Sequence, residues 1–186
     1  MRSKLIVIVC VLAATTCYAQ WDDDDRSGIV AVGGGFATPN SDELDLLSDS
    51  GYSIAGYAAR AVNGPFGWRV EAAYSSLDVG SDIRFLCERD DIACDDPSLT
   101  SLQGGVQVGG FGTGPYAMVT AGLTRFKPAV SDAANDFGMG FGSGVNWMLA
   151  ESWGVGFDFK ANAFWPEGDG GAEWYTTINI LAAFRF

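Results

Sequence analysis

The chain has 186 residues, 48% of them hydrophobic, with 23 Asp and Glu against 11 Lys and Arg, a formal net charge of -12 and no histidine. That length has room for one domain. A chain this acidic lacks the basic patch that phosphate backbones require, so no nucleic-acid partner is expected. Without histidine there is no Ser-His-Asp triad, no imidazole acid–base chemistry near neutrality and no His-rich zinc site.

In chain order, Arg2 and Lys4 form a positive start, Leu5 to Ala14 a short apolar run, and Cys17-Tyr18-Ala19 a small-residue end. The pattern is that of a secretory signal peptide over residues 1–19, cut after Ala19. The run falls short of the roughly 20 residues a spanning helix needs. A lipoprotein cut before Cys17 is the alternative, with Thr16 a poor residue ahead of it. Residues 20–28, with Asp22 to Asp25, form an acidic periplasmic leader. Its spacing matches no calcium loop, and a run of like charge is expected to be solvated.

Turn residues then divide residues 29–186 into eight strand-like runs. They are Ile29 to Ala37, Gly51 to Val62, Phe66 to Leu77, Leu99 to Phe111, Pro115 to Phe126, Phe137 to Leu149, Trp153 to Phe164 and Ala172 to Phe186. Short turns at Asn63-Gly64-Pro65, Gly112-Thr113-Gly114 and Ala150-Glu151-Ser152 alternate with long connections. Two of the long ones hold eleven of the 23 acids: Asp42, Glu43, Asp45 and Asp49 in Thr38 to Ser50, and seven in Asp78 to Ser98. The second of these also holds Cys87 and Cys94, which in an exported chain form a short-loop disulfide, the alternative being two free thiols.

The last run alternates without a break. Trp174, Thr176, Ile178, Ile180, Ala182, Phe184 and Phe186 take one face; Tyr175, Thr177, Asn179, Leu181, Ala183 and Arg185 take the other. Run seven sets Trp153, Val155, Phe157 and Phe159 against Asp158, Lys160 and Asn162, and run three sets Phe66, Trp68, Val70 and Tyr74 against Arg69 and Glu71. For the first two runs the apolar face is not decided. Period two alone does not say which face is outside, because a soluble barrel would hide the apolar set. Three features favour the inverted arrangement: aromatics gather at strand ends, the polar set is rich in Gly and poor in charge, and the acids lie in loops. The fold expected is all-β, an eight-stranded antiparallel up-and-down transmembrane β-barrel of the bacterial outer membrane. Its termini and short turns are periplasmic and its long loops outside. Its narrow lumen would hold a polar network of Arg69, Glu71, Asp158, Lys160, Asn179 and Arg185, since charges there need opposite partners.

These residues resemble the small outer-membrane β-barrel family of Gram-negative bacteria, the opacity-type porin-like proteins. The carriers are Arg69-Val70-Glu71 with Tyr74, Pro115-Tyr116 leading to Ala121-Gly122, the glycine ladder Gly138 to Gly144, and terminal Phe186. The resemblance spans nearly all the mature chain. It implies that Phe186, with Phe184, is part of the signal read by the barrel-assembly machinery. The loop cysteines and the weakly patterned second run depart from the family. Members with a peptidoglycan-binding domain carry it after the barrel, and here the resemblance stops at the barrel.

The function expected is non-enzymatic, without cofactor or metal: an integral outer-membrane barrel showing acidic loops for envelope integrity, adhesion or host contact. Its partners would be outer-membrane lipid and lipopolysaccharide, the acidic loops joining through divalent cations. Two alternatives stand beside it, a soluble exported barrel binding a small apolar ligand and a narrow porin-like channel.

Overall fold

A computed structural model describes residues 28–41, 44–45, 48–90, 93–129, 132–166 and 171–186. The signal peptide and all but the last residue of the acidic leader lie outside the described residues. Eight strands follow in order: β1 Gly28–Pro39, β2 Ser48–Asn63, β3 Phe66–Val79, β4 Ser98–Gly109, β5 Gly114–Lys127, β6 Ala134–Met148, β7 Trp153–Trp165 and β8 Glu173–Arg185. Each pairs antiparallel with the next, and β8 returns to β1 to close the barrel. Closure gives every strand two neighbours and leaves no open edge, which is what lets a sheet lie in hydrocarbon. The seam is continuous from Ile29 opposite Arg185 to Pro39 opposite Tyr175, and the main chain of Phe186 exchanges two hydrogen bonds with Gly28.

The barrel has two unlike ends. Three tight connections lie at one: Gly64 turns with φ 52°, Gly109 and Gly110 with φ 85° and 67°, and Leu149 and Ala150 both donate to the Trp153 carbonyl. A positive φ suits Gly because it has no Cβ to clash. The other end carries the long connections. The Asp78 to Ser98 stretch, expected as a loop, contains helix α1, Ser81–Asp90. Ile83, Leu86 and Cys87 keep helical spacing, but three such positions in ten mostly polar residues are too short a pattern to be told from a loop in the sequence. Cys87 is buried while Phe85 and Leu86 are exposed. Arg89 in its last turn complements the helix dipole. At this end β2 and β3 outrun the expected boundaries, pairing out to Ser48 and Val79.

Faces follow the pleat. In β7, Phe157 and Phe159 are 40% and 39% exposed while Asp158 and Lys160 between and beside them are 4% and 5% exposed. In β8, Ile180 is 69% exposed and Asn179 3%. The undecided strands are now resolved: β2 turns Ser53, Tyr57 and Ala59 inward and Tyr52, Ile54 and Val62 outward, and β1 turns Ile29 and Ala31 inward and Val30 and Val32 outward. Both faces of β2 mix small and large apolar side chains because its inner face meets an aromatic–cation stack rather than a purely polar layer. Apolar surface is disfavoured in water by roughly 25 cal/mol per Å², so a continuous outer coat of Val, Ile, Phe and Trp calls for lipid. Among the described residues no helix is long and apolar enough to cross a membrane.

Candidate functional site

The lumen is layered. At the short-turn end Ile29, Ala31, Tyr57, Ala59, Phe111, Leu181 and Ala183 form an apolar cluster. At the long-loop end Ala37, Leu44, Leu77, Leu99, Phe164 and Tyr175 form another. A charged layer lies between them.

That layer is built from two strands facing each other across the barrel. The pleat sends Arg69 and Glu71 inward from β3, and Asp158 and Lys160 inward from β7. Arg69 donates from Nε to Glu71 Oε2 at 2.9 Å, from Nη2 to Asp158 Oδ2 at 2.9 Å, and from Nη1 to Gln107 Oε1 at 3.1 Å. Lys160 Nζ bonds Glu71 Oε1 and, at 2.8 Å, Gln103 Oε1. Tyr116 donates its hydroxyl to Asp158 Oδ2 at 3.0 Å, and Thr120 donates to Gln103 Oε1 at 2.7 Å. The Arg69 guanidinium lies over the Tyr57 ring, 3.6 Å from its centroid, with the Tyr116 ring 5.6 Å away. Two cations meet two anions, and every charge has a partner. Such a group is tolerable in a low-dielectric interior only when complete, because removing one member strands the others.

The glycine ladder makes this layer possible. The Cβ that Gly140 lacks would meet Lys160 Cε and Nζ; those that Gly142 and Gly144 lack would meet Met118 and Tyr116. A residue with a side chain at Gly140 would displace the lysine from Glu71. What remains open beside the network is about 20 Å³, bounded in part by Tyr57, Arg69, Glu71, Asp158, Lys160 and Asn179, room for about one water.

The expected lumen residues thus divide. Arg69, Glu71, Asp158 and Lys160 come together. Asn179 lies opposite Asp158 in the β7–β8 ladder and is buried, its Oδ1 without a hydrogen-bond partner among the described residues. Arg185 does not join them. It lies beyond the apolar cluster of Leu181 and Ala183, half-buried, with Nε donating to the Glu151 carbonyl at 3.1 Å. Its position at the strand end brings the guanidinium to a turn and to water rather than to the network. Tyr57, Gln103, Gln107, Tyr116 and Thr120 were not anticipated. In β4 the signal was present, since Ser101, Gln103 and Gln107 alternate with Leu102, Val106 and Val108.

At the long-loop end Cys87 and Cys94 are joined in a disulfide, Cα atoms 6.2 Å apart, tying α1 to the returning chain. Asp95 accepts from Lys127 Nζ at 2.8 Å, and the Asp95 amide donates to the Ala129 carbonyl at 3.1 Å, fastening that chain to the end of β5. Lys127 holds the Asp95 carboxyl below the usual carboxylate range through this hydrogen bond and its charge. An open cleft of about 470 Å³ lies beside the cystine, with Arg84, Glu88 and Asp96 on its walls. Among the described residues no group of three or more His, Cys, Asp or Glu is placed to hold a metal ion. Phe184 and Phe186, the expected assembly signal, both project outward from the barrel, 53% and 61% exposed.

The geometry overturns the soluble alternative. A ligand-binding barrel would need its apolar set inside, and here that set is outside and the interior is filled. Comparison with known proteins agrees. The profile of the outer membrane protein beta-barrel domain family matches residues 8–186. No curated protein sequence matches the chain significantly. Among solved structures, Neisserial surface protein A (NspA) is similar with a TM-score of 0.58 at 14% identity, covering 85% of this chain and 95% of its own. Ail, the attachment invasion locus protein of Yersinia pestis, gives 0.56 at 12% identity, covering 87% and 99%. A major outer membrane protein from Thermus thermophilus gives 0.53 at 13%, covering 87% and 98%. An eight-stranded ring with its apolar coat outward and its charges sealed within, matched along nearly its whole length, belongs to the outer membrane protein beta-barrel domain family and resides in the bacterial outer membrane.

Proposed function

We propose that this protein is a non-enzymatic surface-display barrel. The membrane ring is a closed scaffold, and its long loops are presented outside the cell for envelope integrity, adhesion or host contact. One observation carries the reading. The lumen is capped by apolar clusters at both ends, and the charges between them are consumed by one another. The space left open beside the network is about 20 Å³, too small for a conducting path. The buried carboxylate without a hydrogen-bond partner among the described residues, Asp136, stands on β6 near the long-loop end with no nucleophile or second acid hydrogen-bonded to it. That leaves the loops as the variable surface on which function is placed.

The loops are acidic, so their partner is cationic or bridged by divalent cations. A same-fold neighbour, Ail, was crystallised with the heparin analogue sucrose octasulfate; a polysulfate of that kind would meet repulsion from Glu88, Asp90, Asp95 and Asp96. Lipopolysaccharide and lipid surround the ring, and the barrel-assembly machinery reads Phe184 and Phe186 on the way in. The test uses intact cells. After mild reduction, a membrane-impermeant maleimide should label Cys87 and Cys94 on whole cells, and the purified barrel should give no unitary currents in planar bilayers. Labelling only after the outer membrane is broken would refute display, and steady single-channel steps would refute the closed scaffold.

A further inference from the structure

Strand β5 ends in a cation that no network described above accounts for. Its outward side chains are apolar from Pro115 through Ala117, Val119 and Ala121 to Leu123, and the next two outward positions are Arg125 and Lys127. At about 3.3 Å per residue and a tilt of about 40°, Pro115 to Leu123 covers roughly 20 Å of the membrane normal, and Arg125 lies about 25 Å from Pro115. That is close to the full apolar height of an outer-membrane barrel, about 25 Å. Arg125 is therefore at headgroup depth.

The neighbouring strands change character on the same line. Leu102, Leu123 and Phe137 lie side by side on β4, β5 and β6 and are 60%, 65% and 52% exposed. One row nearer the long-loop end, Thr100, Arg125 and Asn135 lie side by side, all exposed. Tyr74 on β3 adjoins Thr100 in that row, an aromatic at the interface. Lys127 is committed to Asp95. Among the described residues Arg125 makes no ion pair, so its charge stands uncompensated in an otherwise acidic end of the molecule.

We propose that Arg125, flanked by Thr100 and Asn135, is a binding site for a phosphate of the outer-leaflet glycolipid, lipopolysaccharide. This rests on the reading that the long-loop end faces outside. The guanidinium offers paired donors that match phosphate oxygens. The Thr hydroxyl and the Asn amide stand about 5 Å to either side of it across the sheet, and both can donate. Acyl chains of the same lipid lie against the Leu102–Leu123–Phe137 row, so one molecule satisfies both rows. Arg60 is the internal control: it is also exposed and outward, but it lies near the short turns beside Trp68.

Native mass spectrometry of the full chain in detergent micelles tests the site, with diphosphorylated lipid A, its dephosphorylated form and inorganic phosphate as probes. Arg125→Gln should weaken binding of diphosphorylated lipid A on the order of tenfold, the scale of one charge-assisted pairing. Arg125→Lys should keep part of it, Arg60→Gln should leave it unchanged, and dephosphorylated lipid should bind all variants alike. Equal binding by wild type and Arg125→Gln overturns the site, as does an equal loss in Arg60→Gln. Displacement of the lipid by millimolar inorganic phosphate overturns the lipid assignment. Folding of each variant is verified by its heat-dependent gel shift. If cell labelling places the loops in the periplasm while Arg125→Gln still loses lipid A in micelles, Arg125 binds lipid phosphate but not in the outer leaflet, and both the lipopolysaccharide assignment and the display reading fall. If the loops are outside and Arg125→Gln binds as wild type, the display reading stands and the site alone falls.

Discussion

Two regions of this barrel hold its charge, and they use it in opposite ways. In the central layer of the lumen two cations and two anions are almost completely buried and linked by three ion pairs, while the buried Asp136 carboxylate nearer the long loops has no hydrogen-bond partner among the described residues. At the long-loop end carboxylates outnumber cations among the described residues, and the two ion pairs among those residues, Arg89–Asp90 and Lys127–Asp95, are largely exposed. A buried ion without its counterion is costly, so the central layer fixes number, sign and position together. An exposed pair is screened and contributes little, so the loops are free to vary.

The sharpest way to break this contrast is at Arg69. Arg69→Ala removes the group that joins Glu71, Asp158 and Gln107 and stacks on Tyr57. It should destabilise the barrel by about 3–5 kcal/mol, read from urea unfolding in lipid vesicles. Replacing Glu71 and Lys160 together by Gln and Met should cost distinctly less, because the pair is then removed whole. A loss equal to that of Arg69→Ala would mean that packing rather than charge matching holds this layer.

Gly140→Leu tests the same layer from the opposite wall. Its side chain would take the space of the Lys160 ammonium, with a cost of about 1–3 kcal/mol expected from overpacking. The same substitution at the outward-facing Gly104, where a Cβ would have only a carbonyl oxygen at 3.9 Å, should be nearly neutral in bilayers.

How much of this could be read in the sequence differs by region. The ring was legible because period two runs through β7 and β8 with aromatics on one face, and because turn residues recur at alternating spacing. The four charges of the lumen were legible for the same reason: each is a polar residue inside an apolar alternation. Tyr57 was not, because an aromatic on the inner face of β2 looks like one more apolar side chain until Arg69 is seen beneath it. Arg185 was misplaced because alternation fixes a face and says nothing of depth, and its depth puts it past Leu181 at a turn. Helix α1 was missed because its one periodic set, Ile83, Leu86 and Cys87, spans barely a turn within ten mostly polar residues.

At the loop end the expected effects are smaller and local. Cys87→Ser with Cys94→Ser should leave the barrel's heat-dependent gel shift intact while speeding proteolysis between β3 and β4. A short closed loop of this size is worth about 2–3 kcal/mol in chain entropy, confined here to the loop. The mildest lever is pH. The Asp95 carboxyl is held below its ordinary value of 3.8 by the Lys127 hydrogen bond, so its contribution is complete above pH 3.8 and fades as pH falls through the depressed value. Acidification below pH 3.8 should therefore raise proteolysis of the β3–β4 loop, and Asp95→Asn should already show that rate at neutral pH.

The central claim is that the apolar face of each strand touches hydrocarbon while the polar face is enclosed. Lipid-to-protein cross-relaxation measured by NMR on the barrel in a phospholipid nanodisc tests it most directly. The acyl-chain methylene protons should transfer magnetisation to the side chains of Phe157, Phe159 and Ile180, and none to Lys160, Asn162 or Thr177. Transfer from the acyl chains to the second set, or from bulk water to the first, would contradict it.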